Sequence, residues 1–405
     1  MIERAADTRQ STRFLLLYAL AWAGGSIAYV PFLSILLPVR VSVMAAPSAE
    51  VAWLAYIAFA GAIAASVGNI GFGYLSDITG NRRGWIWAGL ILSCGLLFAV
   101  PRASDLPQLI GLIVGWRFAL NMMLAPLAAW AGDCVPDRQK GFLGGLLAFA
   151  PALGALSGAV VTVPDFASAD LRLALIALIA LIVALCVLPV LMFGTPAPVA
   201  EPAVPGPLPL DKTGHDKLLT GRSAVLRMWF ARLAVQLPEA ALFSYLYFWF
   251  RSIDPGMSDN RTARTFSIVL LVAAPIALAA GRWSDRRNRP FAPLVICAVL
   301  SAAGLIGMAI ADTLPVAILA YALFGIAVSV FLAHHSAQTL RVLPRPDRRA
   351  RDLGLFNLTN TMPSLIMPWL TLALVPSFGF TGLFLLFAGL AVVASLLLGT
   401  FRPRF

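Results

Sequence analysis

Twelve long apolar runs follow one another along this chain, and they restrict its possible folds more than any other feature. Each run approaches the roughly 20 residues that an α-helix needs to cross a lipid bilayer. The apolar residues are continuous and do not alternate with polar ones, which argues against transmembrane strands. The runs lie at residues 14–37, 51–75, 85–100, 108–130, 142–163, 173–193, 229–250, 265–281, 291–311, 316–340, 353–375 and 382–400. The sequence therefore predicts an all-α integral membrane protein with twelve transmembrane helices.

The composition agrees with a membrane protein and argues against a soluble domain or a nucleic-acid-binding protein. Hydrophobic residues make up 60% of the chain and charged residues only 12%, against about 25% charged in soluble domains. The net charge of +11 comes from small separate basic clusters, which are typical of membrane-protein loops and not of a nucleic-acid surface. The four cysteines show no metal-ligand spacing, so we expect neither disulfides nor a metal site. The apolar run after the N-terminus is too long for a cleavable signal sequence.

A short polar motif occurs in corresponding places in the two halves of the chain. Residues 73–83 read GYLSDITGNRR, and residues 281–289 read GRWSDRRNR, 208 positions later. A second match, Pro-Asp-Arg, occurs at 136–138 and again at 346–348, with an offset of 210. Two independent motifs at nearly the same offset indicate an internal repeat.

A stretch that is first proline-rich and then basic, residues 194–224, divides the twelve runs six and six. Such a composition is typical of a flexible linker. We therefore predict an N-terminal six-helix bundle at 1–193, a cytoplasmic linker at 194–224 and a C-terminal six-helix bundle at 225–405.

The distribution of basic residues predicts the orientation in the membrane. With twelve spans, both termini lie on one side, and that side carries 22 of the 30 Lys and Arg residues. The opposite side carries 6, and the other two, Arg117 and Arg232, lie within apolar runs. Because cytoplasmic loops are enriched in Lys and Arg, both termini are predicted to be cytoplasmic, in a bacterial-type inner membrane.

The first copy of the motif resembles the loop between the second and third helices of the major facilitator superfamily, approximately G-x-L-[A/S]-D-x-x-G-[R/K]-[R/K]. GWRF at 115–118, followed by Asn121, resembles the arginine motif of that family's fourth helix, and residues 131–138 resemble the exit from it. The resemblance covers the whole chain. It implies a solute transporter that works by alternating access, with its site between the two halves, and we expect a functional monomer. The matching loop residues are Gly73, Leu75, Ser76, Asp77, Gly80, Arg82 and Arg83.

A weaker similarity points to the sugar–cation symporters, including sucrose-transporter-like members. It is carried by GYLSD at 73–77, LP at 237–238 and RDLGLFNLTN at 351–360. The second span lacks the acidic residues that bind sodium in the melibiose-type branch, and Ala128 stands where sucrose-type proteins carry an arginine. The similarity therefore favours a sugar-like solute but not sodium coupling.

The repeated loops are interpreted as a conformational latch. Asp77 and Asp285 lie at predicted helix ends, where a carboxylate can bind a neighbouring helix N-terminus or the loop arginines. Such contacts can form in one arrangement of the halves and break in the other. A basic loop that only determines topology is the alternative. The predicted latch residues are Gly73, Asp77, Gly80, Arg82, Arg83, Gly281, Asp285 and Arg286.

Ionisable residues within the spans are the candidates for proton coupling, because charge at membrane depth is rare and costly. Glu239 is the only carboxylate near a span centre, so it must be paired or neutralised by a proton. Arg117 in the fourth span belongs to the arginine motif, and Asp133 to the exit from that helix. Arg232 begins the seventh span, and we interpret it as a side chain that extends to the membrane surface.

Polar side chains on the faces of several spans are the candidates for binding the hydroxyl groups of a solute. Each of them could equally hold helices together. His334 and His335 are adjacent on a helix and point about 100° apart, so they are poorly placed to act on one ion. The predicted solute-binding residues are Tyr29, Asn121, Gln236, Asn357, Asn360 and Thr361.

These features predict a secondary transporter of a small polar solute, with proton symport preferred. No P-loop motif is present, and we expect no cofactor and no direct use of ATP. The first alternative is a proton-coupled efflux antiporter for drug-like or amphipathic compounds, favoured by the apolar spans and by Pro151 in the fifth span, which with Gly154 resembles part of an antiporter motif. A remote alternative is a polytopic membrane enzyme, such as an acyltransferase, that uses His334 or His335.

Overall fold

The computed structural model describes residues 10–179, 214–342 and 349–400, apart from residues 148, 169, 170, 173, 177, 288 and 290, and this part of the chain contains helices and no strands. A π-helical turn, Phe32–Leu36, joins α1 to α2, and a 3-10 turn, Val100–Arg102, follows α4. The α-helices are α1 Thr12–Pro31, α2 Leu37–Met44, α3 Glu50–Thr79, α4 Arg82–Ala99, α5 Leu106–Cys134, α6 Asp137–Leu147, α7 Ala150–Val161, α8 Gly214–Ile253, α9 Asp259–Arg286, α10 Ala292–Ala309, α11 Leu314–Val342 and α12 Arg349–Gly399.

Among the described residues, nine helical stretches are long and apolar enough to cross a membrane. One of them, Thr359–Gly399, has 41 residues, about twice the length that a bilayer needs. It is interrupted at Gly379, whose φ of 61° and ψ of −172° are not helical, so it contains two spans. The seventh predicted run lies in α8, and most of the sixth lies outside the described residues. The prediction of an all-α integral membrane protein is confirmed, and the helices are consistent with twelve spans.

The chain divides into two compact units. The first comprises Met1–Phe32 with Ala60–Leu208, and the second comprises Leu33–Phe59 with Pro209–Phe405. Helix α8 already begins at Gly214, within the stretch predicted as a linker. The boundaries at 193, 194 and 224 stay predictions.

Close helix contacts at glycine hold the first unit together. Helix α4 lies along α5, and α1 lies along α7. A Cβ added to Gly154 of α7 would lie 2.6 Å from the carbonyl oxygen of Ser26 in α1, so the missing side chain is what allows this approach. In the interior, the rings of Phe32 and Trp116 pack edge to face with centroids 4.9 Å apart.

In the second unit, α8 packs along α12, and α10 packs along both α11 and α12. An aromatic core fills the space near the end of α8. The rings of Trp249 and Phe384 meet edge to face at 5.1 Å, and those of Phe250 and Tyr321 at 5.9 Å. This packing brings the polar faces of α8, α11 and α12 together.

Candidate functional site

The most extensive polar cluster of the second unit begins on one face of α8. Arg232, Gln236 and Glu239 are spaced by four and three residues, so their side chains emerge on the same side of the helix. Gln236 is buried, whereas Arg232 and Glu239 are half-buried. Pro238 directly precedes Glu239 and has no N–H to donate to Ala234, which loosens the helix at this point.

Arg232 is the centre of a hydrogen-bond network that joins three helices. Its Nε donates to Oε1 of Gln236 at 3.1 Å, and its Nη1 donates to Oγ of Ser336 in α11 at 2.9 Å. Its Nη2 donates to Oδ1 of Asn360 in α12 at 3.0 Å. Nε2 of Gln236 donates to the same oxygen of Asn360 at 3.1 Å. The side chain therefore turns towards α11 and α12, and its extension to the membrane surface stays a prediction.

His335 supports this network from α11 and is fully buried. Its Nδ1 lies 3.3 Å from Nη1 of Arg232, and its Nε2 lies 2.9 Å from the carbonyl oxygen of Met228. Since the guanidinium can only donate, Nδ1 is the acceptor and Nε2 carries the proton. The imidazole is thus neutral, and it positions Arg232.

Glu239 lies two helical turns beyond Arg232, roughly 10 Å along the axis. It forms no hydrogen bond or ion pair with any residue that the structure describes. Arg232 and Tyr321 of α11 are near enough to interact with it electrostatically. Within the described chain, Glu239 is the one carboxyl group near the middle of a predicted span.

Two of the predicted solute-binding residues, Gln236 and Asn360, meet in the network around Arg232. Asn360 is exposed and Thr361 is half-buried. The side chain of Asn357 lies outside the described residues. The spacing of Arg232, Gln236 and Glu239 is the sequence signal that would have identified Arg232 as part of this face, but Ser336 offers no comparable signal.

The first unit contains the other predicted polar group, centred on Arg117 in α5. Its Nε is buried and has no hydrogen-bond partner among the described residues, and its guanidinium lies 5.6 Å from the ring centroid of Trp116. Nδ2 of Asn121 donates to the carbonyl oxygen of Arg117 at 2.9 Å. Tyr29 of α1 interacts electrostatically with Arg117. No described carboxylate forms an ion pair with Arg117, and the side chain of Asp133 is not among those described.

The first predicted latch loop is a tight turn between α3 and α4. Gly80 has a φ of +59°, a conformation that glycine adopts without strain. Asn81 then caps α4, because its Oδ1 accepts from the N–H of Gly84 at 3.0 Å. Nη2 of Arg82 lies 2.9 Å from Oδ1 of Asp77, which is 60% exposed. Gly73 has no atom within 4 Å of an added Cβ, and Arg83 is exposed.

The second copy of the loop, residues 281–289, begins within the last turns of α9, which ends at Arg286. Gly281 faces His334 of α11, since an added Cβ would lie 3.2 Å from Cε1 of that ring. Nε2 of His334 in turn lies 3.0 Å from the carbonyl oxygen of Ala277. His334 thus faces α9 while His335 faces α8, as the sequence predicts for neighbours on a helix. Arg286 is exposed, and the side chain of Asp285 lies outside the described residues.

Comparison with solved structures shows the same fold in a known transporter. A bacterial homologue of the human lysosomal transporter Spinster, in an inward-facing and unoccupied conformation, superposes with a TM-score of 0.70 at 15% identity, over 96% of this chain and 95% of that one. A bacterial Spinster homologue in an inward-facing and occupied conformation superposes with a TM-score of 0.68 at 13% identity, over 95% of this chain and 94% of that one. No curated protein matches the sequence.

The fold and the sequence together define the protein as a secondary transporter of the membrane. The sequence matches the family model of the Major Facilitator Superfamily over residues 14–345 and 254–404. The chain belongs to the Major Facilitator Superfamily. Its members are transporters and not enzymes, so the hypothesis of a membrane acyltransferase that uses His334 or His335 was wrong.

Proposed function

We propose that the protein is a proton-coupled symporter that carries a small polar solute with sugar-like chemistry across the bacterial inner membrane. The observation that carries this proposal is the unpaired carboxyl group of Glu239. It lies near the middle of a predicted span, on the same face of α8 as Gln236 and Arg232. No described residue forms a hydrogen bond or an ion pair with it.

An unpaired carboxylate at this depth is costly, whereas the protonated acid is tolerated. A carboxyl group that takes up a proton from one side of the membrane and releases it on the other couples transport to the proton gradient. Among the described residues, Glu239 is the group that best meets this requirement, because the other described carboxyl groups lie towards the ends of helices or in loops.

Polar side chains within each unit support a hydroxylated solute. Gln236, Asn360 and Ser336 present amide and hydroxyl groups beside Arg232. Tyr29, Asn121 and Asn69 provide similar groups in the first unit, where Nδ2 of Asn69 lies 3.4 Å from Oδ1 of Asn121. The resemblance of residues 73–77 and 351–360 to the sugar–cation symporters supports the same class of solute.

The charges of the loops support an orientation of the protein in the membrane. The excess of basic residues on the terminal side favours cytoplasmic termini. In that orientation the Asp77–Arg82 ion pair lies on the cytoplasmic face, where the latch would act during each transport cycle. Efflux is the alternative, and Gly154, which with Pro151 resembles part of an antiporter motif, also lies in the close packing of α7 against α1.

Reconstituted vesicles test the proposal. The full-length protein is placed in proteoliposomes with an imposed inward proton gradient, and labelled neutral sugars and sugar acids are offered outside. We expect accumulation of at least one solute, which disappears when a proton ionophore collapses the gradient and is missing in protein-free vesicles. Expulsion of preloaded solute by the inward proton gradient, without accumulation, would instead establish the antiporter.

A further inference from the structure

The guanidinium of Arg232 has only neutral hydrogen-bond partners among the residues that the structure describes. The acceptors are the amide oxygens of Gln236 and Asn360, the hydroxyl of Ser336 and a ring nitrogen of His335. No described carboxylate lies within ion-pairing distance. The side chain is therefore held in place by neutral groups, and Glu239 interacts with its charge only through space, beyond ion-pairing distance.

The geometry leaves room for a further acceptor. Arginine has five N–H donors, and the four contacts use one of the two donors on Nη2. Ser336 and Asn360 are exposed, so the network is open on that side. The side chains that the structure describes in α12 include no charged group, and the titratable neighbours are Glu239 and His335 at Arg232 and Tyr321 at Glu239.

An uncompensated cation is expensive to hold at a membrane protein's interior face unless something pairs with it in the working cycle. Four neutral acceptors from three helices fix its orientation in advance, and the remaining N–H of Nη2 can donate a charge-assisted hydrogen bond to an oxygen of a carboxylate or a phosphate. The arrangement is a cation held by neutral groups, with Glu239 as a nearby carboxyl group that does not bond to it directly.

We propose that Arg232, Ser336 and Asn360 form an anion-binding site that takes the carboxylate or phosphate group of the transported solute. This inference rests on the proposed function only in identifying the bound molecule with the cargo. It narrows the substrate class from a polar solute to an acidic one, such as a sugar acid or a sugar phosphate.

The position of Glu239 gives the anion site a second consequence. An ionised Glu239, roughly 10 Å away along α8, repels an anion bound at Arg232, whereas the protonated form does not. Proton binding at Glu239 and anion binding at Arg232 therefore favour each other, and this reciprocity couples the two ions.

Ligand-induced stabilisation of the purified full-length protein tests the site without requiring transport. The unfolding midpoint is measured at constant ionic strength with glucose, glucuronate and glucose 6-phosphate, and with glycerol, glycerate and glycerol 3-phosphate. We expect the acidic member of at least one set to raise the midpoint while its neutral parent does not. Comparing the rise in the midpoint for the two acids of each set shows whether the site prefers a carboxylate or a phosphate.

Substitutions of Arg232 separate ligand binding from a purely structural role. We expect Arg232→Gln to weaken binding of the acid roughly 10- to 100-fold, as for a lost charge-assisted hydrogen bond, and Arg232→Lys to give an intermediate affinity. Arg227→Gln is the matched control on the same helix, because Arg227 lies outside the network and contacts Thr400. It should leave the affinity unchanged.

Three results would overturn the anion site. They are no stabilisation by any of the four acids, equal stabilisation by acid and neutral parent, or full affinity in Arg232→Gln. If the Gln variant does not fold, the selectivity of the wild type for acids over their neutral parents still shows whether the anion site exists. Proton coupling fails separately, if gradient-driven uptake is unchanged in Glu239→Gln while acid binding still depends on Arg232.

Discussion

Nη2 of Arg232 lies 3.0 Å from Oδ1 of Asn360, which is 128 positions later in the chain. The same oxygen accepts a hydrogen bond from Gln236. One amide oxygen thus joins two residues of α8 to α12, the two helices that pack along each other in the second unit. The polar face predicted for the eleventh span is thus hydrogen-bonded to Arg232, which was not among the predicted solute-binding residues.

Asn360→Asp places a carboxylate of the chain itself against Arg232. We expect it to fill the anion site from within and to lower uptake of an acidic solute roughly tenfold or more, because a close opposite charge competes with the ligand. Uptake into proteoliposomes, normalised to the amount of protein, is the measurement. Asn360→Gln keeps a neutral amide and should retain more activity; equal uptake by the Asp variant and the wild type would contradict the prediction.

Glu239→Gln removes the carboxyl group from the α8 face that carries Arg232 and Gln236, and it leaves a side chain of the same size. We expect gradient-driven accumulation to fall to the level of protein-free vesicles, while exchange of labelled for unlabelled solute continues, since exchange needs no net proton movement. Glu201→Gln in the predicted linker is the control and should behave as the wild type. Unchanged accumulation in Glu239→Gln would remove this residue from the mechanism.

Asp77→Ala removes the ion pair with Arg82. Exposed pairs of this kind contribute only about 0–1 kcal/mol to stability, so we expect nearly normal membrane levels and a clear loss of transport rate. Fluorescence of a fused reporter and initial uptake rates measure the two quantities. Asp312→Ala, at an exposed loop position, controls for loss of a carboxylate, and full transport by Asp77→Ala would reject the latch.

Gly154→Ala tests the contact between α1 and α7. Its Cβ would lie 2.6 Å from the carbonyl oxygen of Ser26, and overpacking of this kind costs about 1–3 kcal/mol. We therefore expect a lower unfolding midpoint in detergent. Gly95→Ala is the matched control, because no atom lies within 4 Å of the added Cβ, and it should be neutral or slightly stabilising. Equal midpoints for the two variants would contradict the packing argument.

The helices were predictable because hydropathy is a local property. The predicted run at 316–340 lies within Leu314–Val342, and the run at 85–100 nearly coincides with Arg82–Ala99. The start of the seventh helix was not predictable in this way, since residues 214–228 are too polar to register as a span although they are helical. Arg232 is therefore at the beginning of the predicted seventh span but eighteen residues inside α8.

The candidate site was predictable only in part. Glu239 and Gln236 stood out because polar residues are rare in apolar runs, and Gly80 because it matches the loop motif that the chain shares with the family. The partners of Arg232 did not stand out, because Ser336 and His335 look like ordinary polar residues near a helix end. Their roles depend on how α8, α11 and α12 are rotated about their axes, which no single helix determines.

The sequence by itself determined the class of protein: membrane helices follow from apolar length, the two-fold repeat from the loop motifs, and the family from those motifs together. The tertiary structure decided which polar groups meet. A helix can present any of its faces to its neighbours, and only the packing of side chains from distant parts of the chain selects one. That selection surrounds the guanidinium of Arg232 with neutral acceptors and leaves the carboxyl group of Glu239 without a described hydrogen-bond or ion-pair partner.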